Sequence, residues 1–137
     1  MKTINLLDLF SGIGGFHLGI KYAGINIDSC FSSEIDKYAN HIYQKHFINS
    51  LNLGDVKTIK PVSGKINGYK INLVTFGFPC QDLSIAGKRQ GFDGDRSSLF
   101  FEAIRIIEEL KPDFFIFENV KGFFSSNKGT KHFYAKM

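Results

Sequence analysis

Two sets of residues in this chain have the types and spacing for chemistry. The first centres on Cys80, directly behind Pro79, just past the apolar run at residues 71–76 and ahead of a glycine-containing stretch. A cysteine at a strand end presents its thiol to a ligand, whereas one inside an element, as expected for Cys30, is structural. The thiolate is the reacting form, and an unperturbed pKa of about 8.5 leaves only a few per cent ionised at pH 7. Attack by Cys80 therefore benefits from an electrophile activated on its far side. Glu118, followed by Asn119, ends the next apolar run and could do this by hydrogen-bonding a ring nitrogen. Taken singly, each has a plainer reading: a core cysteine and a polar strand end.

The second set would hold a nucleoside. Ser11-Gly12-Ile13-Gly14-Gly15 follows an apolar run and opens a helical pattern. Glycines there allow positive φ and leave backbone N–H groups open to a ligand. Twenty-two residues past Gly12 stands Glu34, where a carboxylate would accept bonds from ribose hydroxyls. Asp55, after Gly54, could accept from an adenine amino group. The dinucleotide fingerprint fails, because its third glycine would fall at His17. An adenosine ligand without phosphates fits better; the plain alternative is a tight turn with no ligand.

The elements that must position these residues alternate. Strands are expected at residues 3–8, 25–33 and 71–76, at Phe114–Phe117, and weakly within 51–59 around Gly54-Asp55-Val56. Helices are expected from the glycine turn to about Gly24, carrying Phe16, Leu18, Ile20 and Tyr22. Two more fall at 36–46, with Tyr38, Ile42 and Tyr43 on one face, and at Ser97–Leu110, with apolar Leu99, Ile104 and Ile107. Pro112 blocks continuation of the last. Residues 61–70 read as a polar connector, 80–96 as a long irregular loop, and a further helix begins near Thr130. Strands apolar throughout and alternating with helices predict an α/β fold, a parallel sheet covered on both faces. In such sheets the ligand crevice lies at the carboxyl ends of the strands, and four of the five candidates end in acidic or small polar residues.

Composition agrees. The 137 residues, 43% hydrophobic and 22% charged, make about one domain and exclude disorder, collagen-like repeats and coiled coils. No stretch reaches the roughly 18 apolar residues of a membrane span. An acidic residue at position 8 precedes any h-region, so no signal peptide is expected. With two cysteines, both expected reduced, the chain is expected to be cytoplasmic. The net charge of +4 permits a polyanionic partner without demanding one. His41, His46 and His132 show no metal-ligand spacing.

Asp8-Leu9-Phe10-Ser11-Gly12-Ile13-Gly14-Gly15-Phe16, Gly77-Phe78-Pro79-Cys80-Gln81 and Glu118-Asn119-Val120 resemble three ordered motifs of the DNA cytosine-5 methyltransferases. Ser33-Glu34-Ile35-Asp36, Gly54-Asp55-Val56, Ser84-Ile85-Ala86-Gly87 and Arg96-Ser97-Ser98-Leu99-Phe100-Phe101 agree, so the likeness runs along nearly the whole chain. The resemblance implies a Rossmann-like S-adenosylmethionine-dependent methyltransferase fold. S-adenosylmethionine would lie over Phe10 and the turn of Gly12, Gly14 and Gly15, with Glu34 on its ribose and Asp55 near the adenine amino group. Ile35 would cover the adenine, and Val56, Pro79 and Leu99 would help form the pocket. Cys80 would attack C6 of a cytosine flipped from double-stranded DNA, because ring carbons are unreachable in the stack. Glu118 would stabilise a proton at N3, and C5 would take the methyl group. Gln81, Ser84, Lys88, Arg89 and Arg96 would meet the DNA.

Members of that family continue well beyond this length, so residues 1–137 correspond to the N-terminal part of the catalytic domain, without later strands or a target recognition domain. Two readings follow: one subunit of a split methyltransferase, completed by a second polypeptide, or an inactive remnant. A third reading, an unrelated nucleotide-binding enzyme such as a dehydrogenase, is disfavoured by His17 and by Pro79-Cys80-Gln81.

Overall fold

Short apolar strands separated by helices can satisfy their backbones by joining one parallel sheet, with helices on its faces. The computed structural model, which describes residues 3–77 and 97–118, has this arrangement. β1 (Thr3–Leu9), α1 (Gly15–Tyr22), β2 (Asn26–Ser33), α2 (Lys37–His46) and β3 (Ser50–Asn52) follow one another. A 3-10 turn at Val56–Thr58 and two bridged turns, Val62 with Lys65 and Ile66 with Tyr69, lead to β4 (Leu73–Phe76). Later come α3 (Ser97–Leu110) and β5 (Phe114–Phe117). All strand pairs are parallel, in the order β3-β2-β1-β4-β5. The chain thus departs from β1 in both directions, which makes the β1–β4 junction the switch point where such sheets open a crevice.

Alternating side chains divide the strands between two layers. Leu7, Leu9, Phe31, Val74 and Phe76 pack with Phe100, Ala103, Ile106 and Leu110 of α3. On the other face, Leu6, Cys30 and Leu73 pack with Ile20 of α1. Toward the strands' carboxyl ends that second face turns polar, with Asp8 opposite Ser32 of β2 and Thr75 of β4.

Several expectations need correction. The third strand precedes Gly54 instead of surrounding it, and Asp55 caps the 3-10 turn through Lys57 N–H at 2.9 Å. The buried side of α2 is Tyr43; Tyr38 and Ile42 face solvent, because only one edge of this polar helix meets the sheet. In α3 the buried stripe is Phe100, Ala103, Ile106 and Leu110, with Leu99, Ile104 and Ile107 on its flanks. The connector at 61–70 buries Ile66. β5 is not buried: Phe114 and Ile116 are 66% and 46% exposed. Among the described residues it is the sheet's edge strand, and α1 and α2 pack over β1 and β2 instead. The expected loop at 80–96 and the helix near Thr130 lie outside the described residues. No helix among the described residues is long and apolar enough to cross a membrane.

Candidate functional site

Leaving β1, the chain turns sharply. Phe10, Gly12 and Gly14 all have positive φ, at 52°, 53° and 96°. The turn is held to β2 by Ser11 N–H, which donates to the Ser33 carbonyl at 3.1 Å. It is held again by Gly12 N–H, which donates to Glu34 Oε2 at 2.8 Å. The other oxygen of Glu34 accepts from Asp36 N–H at 2.8 Å, and Asp36 in turn caps α2. One carboxylate therefore clasps the glycine turn to the start of the next helix.

The two positive-φ glycines have different reasons to be glycine. A Cβ at Gly12 would meet nothing within 4 Å, whereas one at Gly14 would stand 2.5 Å from Phe47 Cε2 and 3.0 Å from Tyr43 Cδ2. Gly14→Ala must push aside rings of the buried α2 side as well as hold a left-handed backbone. Its expected loss of stability is about 3 kcal/mol, against about 1 kcal/mol for Gly12→Ala, read from urea midpoints. Equal losses would show that conformation alone, and not the ring contact, selects glycine here.

A cavity of about 300 Å³ opens at the carboxyl ends of β1, β2 and β4. Six of the residues expected to hold a cofactor line it: Phe10, Glu34, Ile35, Asp55, Val56 and Leu99. Ser33, Gly54 and Gly77 join them without having been assigned a ligand role; each adjoins a motif residue. Gly14 and Gly15 instead line a separate apolar hollow beside Ile13 and Leu18. A larger hollow, about 580 Å³, is elsewhere again, beside Lys21, Cys30 and Phe47 near the start of β2. Pro79 lies outside the described residues, as do Cys80, Gln81, Ser84, Lys88, Arg89 and Arg96.

Two supporting residues gave no motif signal. Asn52, ending β3, accepts from Glu34 N–H and Gly54 N–H, both at 3.1 Å, and its amide donates to the Glu34 carbonyl at 3.0 Å. It fixes the separation of the two cavity carboxylates. Arg105 of α3, paired with Glu102 and Glu109, donates to the Val56 carbonyl at 3.4 Å and ties the cavity wall to the helix.

Glu118 follows β5 directly, and its N–H donates to the Phe76 carbonyl at 3.1 Å. A Cβ at Gly77 would lie 3.1 Å from Glu118 Oε2. The Glu118 carboxylate thus stands against the backbone that leads from β4 toward Cys80, on exposed ground.

Behind the turn lies a buried polar chain. Asp8, fully buried, accepts from Thr75 Oγ1 at 2.7 Å and from the Tyr43 hydroxyl at 3.5 Å. Tyr43 also meets His17 Nδ1 at 2.9 Å, and Cys30 Sγ lies 3.4 Å from that nitrogen. Burial pushes the Asp8 carboxyl up to about 7; hydrogen bonds from Thr75 and Tyr43 oppose the rise, and the charge of Glu34 adds to it. Burial, with nearby Lys21, takes His17 down to about 4. Burial also raises the Cys30 thiol, so it stays protonated and inert. Among the described residues no cluster could hold a metal.

The model of the C-5 cytosine-specific DNA methylase family matches residues 4–136. The type II methyltransferase M.NgoBI of Neisseria gonorrhoeae is 44% identical over 129 residues, which cover 93% of this chain and 37% of that protein. The orphan methyltransferase M.SPRI of Bacillus phage SPR is 39% identical over 131 residues, covering 94% and 29%. A crystal structure of a Spodoptera frugiperda DNMT2 mutant superposes with a TM-score of 0.75 at 28% identity, over 97% of this chain and 40% of that one. The chain spans about a third of the length of these relatives.

Proposed function

Because the chain belongs to the C-5 cytosine-specific DNA methylase family, we propose that it carries the cofactor pocket and reacting groups of an enzyme that methylates C5 of cytosine in double-stranded DNA. The observation that carries this reading is the cavity at the carboxyl edge, where Phe10, Glu34, Ile35, Asp55, Val56 and Leu99 converge beside the strand leading to Cys80. The fit to S-adenosylmethionine is chemical: apolar walls suit an adenine, and two carboxylates suit ribose hydroxyls and an amino group. When bound, S-adenosylmethionine supplies an electrophilic methyl group on a sulfonium.

The chain's own groups do the rest. Glu34 accepts from the ribose while its clasp on Gly12 keeps the turn in place, and Asp55 accepts from the adenine amino group. Cys80 adds through its sulfur to C6 of a cytosine flipped from the duplex, and Glu118 holds a proton at N3. Addition at C6 makes C5 nucleophilic, so C5 would take the methyl group as the donor's sulfur–methyl bond breaks and a neutral thioether leaves; loss of the C5 proton to a base, with departure of the Cys80 thiolate, would then restore the ring. Gln81 and Ser84 meet the backbone of the flipped nucleotide, and Lys88, Arg89 and Arg96 meet phosphates. The setting is the cytoplasm. Turnover requires the parts that lie beyond this span in the relatives, supplied by a second subunit or a C-terminal half; the share of the relatives' length covered supports this.

Calorimetric titration of the chain with S-adenosylmethionine tests the pocket. Binding is expected, and Glu34→Gln should weaken it about tenfold through one charge-assisted hydrogen bond. No heat at any concentration would sink the reading. The partial coverage also favours a second reading, an inactive remnant. Methyl transfer to DNA when the remaining two-thirds or so of a relative is co-expressed would eliminate it; no product despite a stable complex would support it.

A further inference from the structure

We propose that Asp8 is the charge-reading residue of the cofactor cleft: a carboxyl sealed beneath the glycine turn that favours the positively charged methyl donor over the neutral thioether left once the methyl has gone. This rests on the S-adenosylmethionine reading above and adds a residue that touches no ligand, so Asp8 is a positioning residue and not a catalytic one.

The argument is geometric. Asp8 and Thr75 are cross-strand neighbours joined by the 2.7 Å bond, and each lies two residues before a residue that lines the cleft, Phe10 and Gly77. Asp8 is fully buried, so little water screens its charge from a ligand in that cleft. The groups facing it from the elements around it are neutral: Thr75 from β4, Ser32 from β2 and Tyr43 from α2, with His17 of α1 and Cys30 behind Tyr43. Glu34 beyond the end of β2 adds only negative charge. Among the described residues no cationic side chain makes a salt bridge with Asp8. A sulfonium in the cleft is then the missing counter-charge.

Linkage makes the effect reciprocal: a cation that favours ionised Asp8 is itself bound more tightly when Asp8 is ionised. A coupling of this kind between a buried carboxylate and a ligand's charge is worth roughly tenfold in affinity. The thioether product carries the same nucleoside and amino-acid parts but no sulfonium, so the ratio of the two affinities isolates the charge. With Asp8 raised to about 7, the ratio should change within the range where proteins work.

Calorimetry on the full 137-residue chain with S-adenosylmethionine and S-adenosylhomocysteine tests this. Titrations from pH 5.5 to 7.5 stay below the titration of a typical α-amino group, about 7.7–8.0. The donor-to-product affinity ratio is expected to rise several-fold with pH in the wild type and to stay flat in Asp8→Asn. Thr75→Val, which removes the 2.7 Å donor, should move the rise to higher pH, a displacement that a purely structural role would not cause. A constant wild-type ratio overturns the proposal even if neither variant folds. If neither ligand binds at any pH, the cofactor reading fails first and takes this inference with it.

Discussion

Cys80→Ala should remove at least about 10³-fold of the methyl-transfer rate of the completed enzyme, measured with labelled donor on duplex DNA, and change the chain's affinity for S-adenosylmethionine by less than twofold. The ring carbon that receives the methyl is not nucleophilic until another atom adds to its neighbour, so without the thiol the electron pair at C5 is never generated. In the proposed mechanism Glu118 would not substitute, because polarising N3 only helps an attack that something else must make. Cys80→Ser should be nearly as inactive, since a hydroxyl is far harder to ionise than a thiol. Cofactor affinity should persist because the cavity is lined from other residues. Position supports the assignment within limits the chain sets. Cys80 follows Gly77 by three residues in sequence, and a Cβ at Gly77 would lie 3.1 Å from Glu118 Oε2. A variant retaining even a tenth of the wild-type rate would remove Cys80 from the mechanism.

The second large effect is thermodynamic and comes from two buried groups titrating in opposite senses. Asp8 has a raised folded pKa, so its contribution to stability is fully present below about 3.8 and is lost as pH rises through about 7; the loss approaches 4 kcal/mol. His17 has a lowered folded pKa, so its contribution is present above about 6.5 and is lost as pH falls toward about 4, by up to about 3 kcal/mol. Between pH 4 and 6.5 the slopes nearly cancel, and the wild type should melt at almost constant temperature. Asp8→Asn, whose amide can still meet Thr75 and Tyr43, should unmask the histidine and gain stability as pH rises from 4 to 6.5. His17→Gln should do the reverse, losing stability as pH rises from 4 to 7. Thermal melts across that range check both signs; parallel curves for the two variants would refute the compensation.

Much of the scaffold was legible from pattern. α3 runs from Ser97 to Leu110 as its amphipathic stretch and Pro112 require, and β5 falls at Phe114–Phe117 as expected, pairing with the strand that leads to Cys80. Of the residues that converge on the cavity, Glu34 and Asp55 were legible from their positions beside strand-like runs, whereas Phe10, Ile35, Val56 and Leu99 entered only through the family resemblance. Faces were not legible. In α3 eight apolar positions span a broad stripe, and only packing against the core that holds Val74 and Phe76 selects Phe100 and Ile106 over Ile104 as its centre. In α2 the polar sequence hides the fact that Tyr43 is the residue turned inward. His17 was legible only as a broken glycine fingerprint. Nothing local reveals that its partners are Tyr43 and Cys30, contacts made 26 and 13 residues away.

The row Ser32–Asp8–Thr75 also bears on how the chain avoids misassembly. These three residues sit side by side on neighbouring strands, while Leu9, Ser33 and Phe76 form the next rung, with Leu9 and Phe76 turned toward α3. If β1 slid by a single position, the carboxylate would be thrust among Phe76 and Phe100, where no donor awaits it, and several kcal/mol would be lost at once. A uniformly greasy strand would tolerate such slippage and linger in near-native traps. By placing one awkward acid where only the correct alignment can soothe it, the sequence rejects the wrong sheets more firmly than it rewards the right one.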